Sequence, residues 1–190
     1  MSGDPVPPAV LVGHPRSRSR THAVAIRAGY LLREMLAADG APLPAPQLID
    51  LADLAPGLLG QGRTSAAAQT ALAAVSRTPL VLTASPTFRG ACSGLLKLFL
   101  DMLPRNGLAA TVAVPLMTAG MPAHRSAVDT TLRPVLLELG AAVPAPGISV
   151  LESDLTRFDE VFEAWWIRHG PSVRRAVLAQ AGRPDRVATC

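Results

Sequence analysis

Apolar positions along the chain fall into two kinds of run that alternate with each other. Short continuous runs at 9–12, 47–51, 79–83, 111–116 and 148–151 read as buried β-strands. Between them, apolar residues recur at helical spacing. Val24, Ala28, Leu31 and Met35 make one stripe, and Leu96, Phe99, Leu100 and Leu103 a second. Val128, Leu132, Val135, Leu136 and Leu139 make a third, and Phe158, Phe162 and Trp165 a fourth. An Ala-rich stretch at 64–76 adds another helix. Gly40 and Gly140 are placed as helix stops, and Pro104, Asn106 and Gly107 end the helix before them. Pro115 is expected at the exit of the fourth strand, because proline cannot donate to a ladder. Pro134 is expected to kink its helix or mark its second half. The stretch 52–63, with Pro56, Gly57, Gly60 and Gly62, reads as a loop. Gly170-Pro171 is expected to split the last helix from a basic tail helix.

The resulting order is strand–helix repeated five times. Strands that are continuously apolar, not alternating, belong to a parallel sheet covered on both faces. The expected fold is α/β: a flavodoxin-like, doubly wound, five-stranded parallel sheet of order 2-1-3-4-5. Such sheets bind ligands outside the carboxyl ends of their strands, at the point where strand order reverses. Residues 1–190 are expected to form a single domain, with 1–8 a loose N-terminal tail and 170–190 a C-terminal extension.

Composition agrees. The 190 residues are 49% hydrophobic and 17% charged, too apolar for a disordered chain. No apolar run reaches the length of a membrane span, and Met1 to Pro8 lacks the features of a secretory signal, so a cytoplasmic protein is expected. Two cysteines, Cys92 and Cys190, supply neither a disulfide framework nor a four-ligand zinc site, and no metal is expected. The net charge of +4 favours an anionic ligand. The arginines are scattered and aromatics few, which argues against a nucleic-acid surface.

The loops after strands one, three and four hold the candidate chemistry. The first runs from Gly13 to Thr21 and carries three hydroxyls, three guanidiniums and the His14 imidazole before a helix start. Free N–H groups at a helix N-terminus suit a phosphate. Neither a Walker loop nor a G-x-G-x-x-G fingerprint is present. The stretch is either a phosphate cradle or a solvated Arg/Ser loop. Ser85, Pro86, Thr87, Phe88, Arg89 and Gly90 form either the wall of a planar ring or an ordinary loop with one buried Phe. Thr118, Ala119, Gly120 and Met121 form either a close-approach site or a plain turn. Gly90-Ala91-Cys92-Ser93-Gly94 fits a G-x-C-x-G nucleophile elbow, but Ser85-Pro86-Thr87 separates it from its strand. Cys92 reads better as a small packed residue at a helix start. His124 reads as a structural histidine, and Trp165-Trp166 as core.

Three stretches together resemble the NADPH-dependent FMN reductase family, most closely its alkanesulfonate-desulfurisation branch. GHPRSRSRT resembles the family's G-S-x-R-x-x-S loop. SPTFRGACSGLLKLFLDMLP resembles its [ST]-P-x-[YF]-x-x-x-x-S-G-x-L-K-x-x-L-D stretch. PLMTAGMPAHRSAVDTTLRPVLLELGA resembles the branch's T-G-G, A-H and R-P-V-L segment. The likeness covers roughly residues 9 to 150.

The resemblance implies a non-covalent FMN reduced by NADPH or NADH, with the chemistry on flavin N5 and no catalytic side chain. It implies that Arg16, Ser19 and Thr21 hold the FMN phosphate, with His14 where the family has Ser. It implies that Pro86, Thr87 and Phe88 line one side of the ring, beside Ser85, and that Thr118, Ala119 and Gly120 approach the other. Backbone N–H groups at 87–88 and 119–120 are the expected donors to the ring's polar edge. Ala119 replaces a family Gly, and Thr130 stands where the branch carries an aromatic. Lys97 and Asp101 match a helix at a subunit contact, so a homodimer or homotetramer is implied. Reduced flavin would then feed a partner monooxygenase. The rival readings are a quinone- or azo-type reductase that keeps its FMN, a flavodoxin-like electron carrier, and a thiol hydrolase using Cys92. Carriers of that kind are typically acidic, and this chain is basic.

Overall fold

A computed structural model describes residues 5–58 and 64–181. The strands are β1 (Ala9–Val12), β2 (Gln47–Asp50), β3 (Leu80–Pro86), β4 (Val112–Ala119) and β5 (Ile148–Leu151). They pair parallel in the order β2-β1-β3-β4-β5. The helices are α1 (Arg20–Ala38), α2 (Leu51–Leu58), α3 (Ala66–Arg77), α4 (Gly94–Asp101), α5 (Arg133–Glu138) and α6 (Phe158–Ala181). Strand residues alternate between the two faces, and each face packs its own core. Val10, Val12, Leu82, Val114 and Val150 meet α1 and α6. Ala9, Leu11, Val81, Ala113 and Met117 meet α2 to α5. Both faces are covered, which is why the strands are apolar without alternation.

Local sequence accounts for the helix ends. Ser19, Ser65 and Ser93 cap α1, α3 and α4 through their hydroxyl oxygens. Gly40 and Gly140, at φ 79° and 84°, close α1 and α5 with paired backbone bonds to the carbonyls two and three residues inside.

Four expectations need correction. The 52–63 loop is helical over Leu51–Leu58, because Leu51, Leu54 and Leu58 fall at helical spacing and the Asp50 carboxylate accepts the Ala52 N–H at 3.0 Å. Residues 59–63 of that stretch lie outside the described residues. Strand β3 runs on to Pro86 and β4 to Ala119, paired as far as Pro86 with Thr118.

Pro115 sits within β4, not at its exit. Ala113 donates to the Ala142 carbonyl on the β5 side. By alternation Pro115 faces that same side, one residue before β5 pairing begins at Leu116 with Ile148. No ladder bond is lost there. Pro134, as expected, marks the second half of its helix: it stands in the first turn of α5, after a π-turn at Val128–Leu132 in which the Arg133 N–H reaches back to the Val128 carbonyl.

Gly170-Pro171 does not split the last helix, which runs unbroken from Phe158 to Ala181. The carbonyl that Pro171 leaves without a partner belongs to Ile167, which is 72% exposed, so water replaces the bond. Beyond it, Val173 and Val177 are buried in the core. The described part of the 170–190 extension therefore packs as core helix, and residues 182–190 lie outside the described residues, as do 1–4 of the tail. Gly170 is required by packing: a Cβ there would stand 2.5 Å from the buried Trp166 ring, which stacks on Phe162 at an interplanar angle of 10°.

Gly170→Val is therefore expected to lower the unfolding free energy by about 1–3 kcal/mol. Urea denaturation checks this, and an unchanged midpoint would show that the ring can yield.

Candidate functional site

The carboxyl ends of β1 and β3 and the start of α4 are joined by one hydroxyl network. The Gly13 N–H donates to the Ala84 carbonyl at 2.7 Å. The Ser93 hydroxyl donates to the Gly13 carbonyl and accepts the Leu96 N–H at 3.1 Å. The Ser93 N–H donates to the Ser85 hydroxyl at 2.9 Å, which donates to the Pro86 carbonyl at 2.8 Å. Both serines are buried. Gly13 has no room for a side chain, since a Cβ would stand 2.5 Å from that of Leu96. Ser85 is thus a support beneath the site, not part of its lining.

Above this network lies a cavity of about 390 Å³. His14, Arg16, Ser17, Arg18, Ser19, Arg20 and Thr21 form one end. Pro86, Thr87, Phe88, Thr118 and Gly120 form the other, and Glu152 and Leu155 close the side. The loop from β1 to α1 brings three guanidiniums to a helix start that carries no acidic residue in its first turn. The Ser19 hydroxyl accepts the His22 N–H at 3.1 Å, so its own proton stays available to an anion. Thr21 and Thr118 share a buried hydroxyl contact of 2.7 Å, tying α1 to β4. Arg18 is left-handed at φ 54°. Arg20 pairs with Glu152 at 2.6 Å.

His14 is buried and meets Phe88 edge-on at 5.7 Å. Its Nδ1 stands 2.9 Å from the Arg16 nitrogen and 3.1 Å from the Arg16 carbonyl oxygen, so in either tautomer it is tied to the Arg16 backbone. Burial pushes its pKa below the ordinary 6.5, with the Arg16 charge acting in the same direction. His14 is therefore neutral at neutral pH.

At the other end, the Phe88 ring is 45% exposed and lines the cavity, so the reading of an ordinary loop with a buried Phe falls. The expected amide donors at 87–88 are already spent. The Thr87 N–H donates to the Thr118 carbonyl at 2.7 Å, and the Phe88 N–H to the Ala91 carbonyl at 2.9 Å. The Thr87 hydroxyl, in contrast, is buried with no partner among the described residues, an orphan that a ligand would satisfy. A Cβ on Gly120 would meet nothing within 4 Å, so this backbone faces open space beside the cavity. Ala119 is buried and, like Ser85, lies off the lining.

Of the residues singled out from sequence, His14, Arg16, Ser19, Thr21, Pro86, Thr87, Phe88, Thr118 and Gly120 come together. Ser17, Arg18 and Arg20 belong to the same polar loop and were legible as part of it. Glu152 and Leu155 arrive from the turn after β5 and carry no local signal.

Cys92 is half-buried, and burial pushes its thiol up from its ordinary value, the opposite of an activated nucleophile. The elbow reading also fails on geometry: the strand ends at Pro86 and a Phe88–Ala91 bridge intervenes. Among the described residues no cluster of His, Cys, Asp and Glu could hold a metal, and no helix is long and apolar enough to cross a membrane.

Fold and site define a doubly wound α/β protein of flavodoxin-like type with a cation-rich cavity at its switch point. Residues 9–156 match the NADPH-dependent FMN reductase family, and the chain belongs to that family. It is 30% identical over 159 residues to an FMN reductase (NADPH) of Pseudomonas aeruginosa, covering 82% of this chain and 86% of that protein. It is 35% identical over 100 residues to an FMN reductase (NADPH) of Escherichia coli, covering 45% of this chain. That match spans about half the length of the relative, 52%. A solved NADH:FMN oxidoreductase in apo form superposes with a TM-score of 0.74 at 26% identity, over 95% of this chain and 93% of that one.

Two outcomes follow. Ser93→Ala removes the α4 cap and its bond to Gly13, and is expected to cost about 2 kcal/mol by urea unfolding. A loss under about 0.5 kcal/mol would mean the network is dispensable. Because His14 is held neutral, its contribution to stability is complete above pH 6.5 and is lost as pH falls from there through its lower folded value. His14→Gln is expected to flatten that part of the pH–stability curve, measured as urea midpoints between pH 8 and 5.

Proposed function

We propose that this protein is an NADPH:FMN oxidoreductase that passes reduced FMN to a partner monooxygenase. The observation that carries the reading is the single cavity that joins an arginine-rich helix start to an aromatic-walled end.

The residues fit FMN. Arg16, Arg18 and Ser19 supply charged and neutral donors for the phosphate, with the neutral His14 ring beside them. The unpartnered Thr87 hydroxyl offers a bond at the ring end. Phe88 and Pro86 wall the ring, and Gly120 leaves room for close approach. When bound, FMN supplies the ring nitrogen that takes hydride from the nicotinamide. The chain's own part is to bind, orient and exclude water, and none of its side chains acts as acid, base or nucleophile.

The cradle is wet. Arg16, Ser17 and Arg18 are all exposed, so their pull on a phosphate is screened. A flavin held that way exchanges, which favours FMN as substrate over FMN as a retained group. A homo-oligomer is proposed through the groove between α4 and α5, where Leu100, Leu103, Val135 and Leu139 lie beside the Lys97–Asp101 pair. The proposal carries a cytoplasmic location, where NADPH is available.

The test is NADPH oxidation by the purified protein with and without added FMN. Activity is expected to depend on added FMN, and Arg16→Ala to raise the KM for FMN about tenfold with kcat nearly unchanged. A protein that retains its flavin and needs none added would be the quinone- or azo-type reductase instead. Flavin binding without nicotinamide oxidation would indicate an electron carrier. Neither binding nor oxidation would overturn the reading altogether.

A further inference from the structure

The β1–α1 loop carries the cation-rich end of the cavity, and its internal bond, from His14 to the Arg16 backbone, stops short of Arg18. At Arg18 it passes through a left-handed conformation, φ 54°, that a non-glycine residue adopts at a cost. The residues on either side of Arg18 are each held. On one side Ser19 caps α1. On the other, the Ser17 hydroxyl donates to the Asp53 carboxylate at 3.0 Å, across 36 residues of chain. Asp53 stands in the first turn of α2 and does not line the cavity, whereas Ser17 and Arg18 both do. The next turn of α1 is tied to the same part of the fold, where His22 faces Asp50 at 3.6 Å. Asp50 in turn holds the α2 start through the Ala52 N–H.

We propose that Asp53 is a positioning residue for phosphate recognition: by anchoring Ser17 it fixes the strained turn at Arg18 and so aims the Arg16 and Arg18 donors into the cavity. The inference rests on the reading of this cavity as a site for a phosphorylated flavin. Its physical interest lies in a conflict of sign. A carboxylate one hydrogen bond behind a phosphate cradle repels the phosphate, so by charge alone its removal tightens binding. As an anchor its removal loosens binding. The two roles separate by substitution. Asp53→Ala deletes both charge and acceptor. Asp53→Asn deletes the charge and keeps an oxygen that accepts the Ser17 proton.

The experiment is equilibrium titration of flavin fluorescence with FMN and with riboflavin, which lacks the phosphate. The expected result is that Asp53→Ala and Ser17→Ala each weaken FMN about fivefold and leave riboflavin unchanged. Asp53→Asn is expected to bind FMN as well as the wild type or better. The double variant Ser17→Ala/Asp53→Ala is expected to be no weaker than either single one, because both remove the same bond. FMN binding that is unchanged or tighter in Asp53→Ala would overturn the proposal. So would an equal loss for FMN and riboflavin, which would mark a general loosening of α2. Inorganic phosphate, read by thermal shift, probes the same loop with no flavin present. A wild type that binds phosphate but not FMN would defeat the flavin reading, and loss of that phosphate shift in Asp53→Ala would still sustain this one. A wild type that binds neither would overturn both.

Discussion

The Ser93 hydroxyl holds the site together. It lies where β1 ends, β3 ends and α4 begins, and it bonds to a group from each of two of them while its own N–H reaches the third through Ser85. A parallel sheet ends in carbonyls and amides that have lost their ladder partners. At a switch point the neighbouring strand departs as well, so these groups would be buried without bonds. The Ser85–Ser93 pair satisfies them. In doing so it sets the height of the cavity floor, because Gly13 can approach α4 only without a side chain. The start of the β1–α1 loop and the Pro86–Phe88 wall both rest on this floor.

Electrostatics shape the site above it in two ways. The loop concentrates guanidiniums but keeps them in water, so they attract an anion without being buried unpaired. The turn after β5 is then fastened by two ion pairs, Arg20 with Glu152 and Arg125 with Asp154, and the start of α6 by a third, Arg27 with Asp159. These pairs are exposed and fix position more than they add stability. They draw Glu152 and Leu155 to the cavity's side. His14 stands between the polar and aromatic ends. It is neutral because it is buried, and its Nδ1 ties the loop backbone at Arg16.

The errors of sequence reading share a cause. Proline and glycine were read as breaks at Pro56, Pro115 and Pro171, and all three lie inside regular elements. At Pro115 and Pro171 the bond that proline removes falls at a strand end or on the exposed side of a helix. That depends on which side of the element faces outward, and outward has no meaning until neighbours are in place. The amides of Thr87 and Phe88 were read as free donors for a similar reason. Their partners, the carbonyls of Thr118 and Ala91, appear only when β4 runs alongside β3 and the 88–91 turn closes.

The chain alone determined the strand and helix alternation, the parallel sheet with its order, and the three loops that meet at the switch point. It could do so because hydrophobic period and helix caps are local, and because the handedness of βαβ crossovers leaves few ways to assemble them. Only the tertiary structure decided which of those loop residues face the cavity. Ser85 and Ala119 turned inward to support and core, the Thr87 hydroxyl was left without a partner among the described residues, and Glu152 entered from the turn after β5, far along the chain. Facing is a relation between elements, fixed by packing and by the competition for each buried hydrogen bond, and no stretch of sequence contains both partners of such a choice.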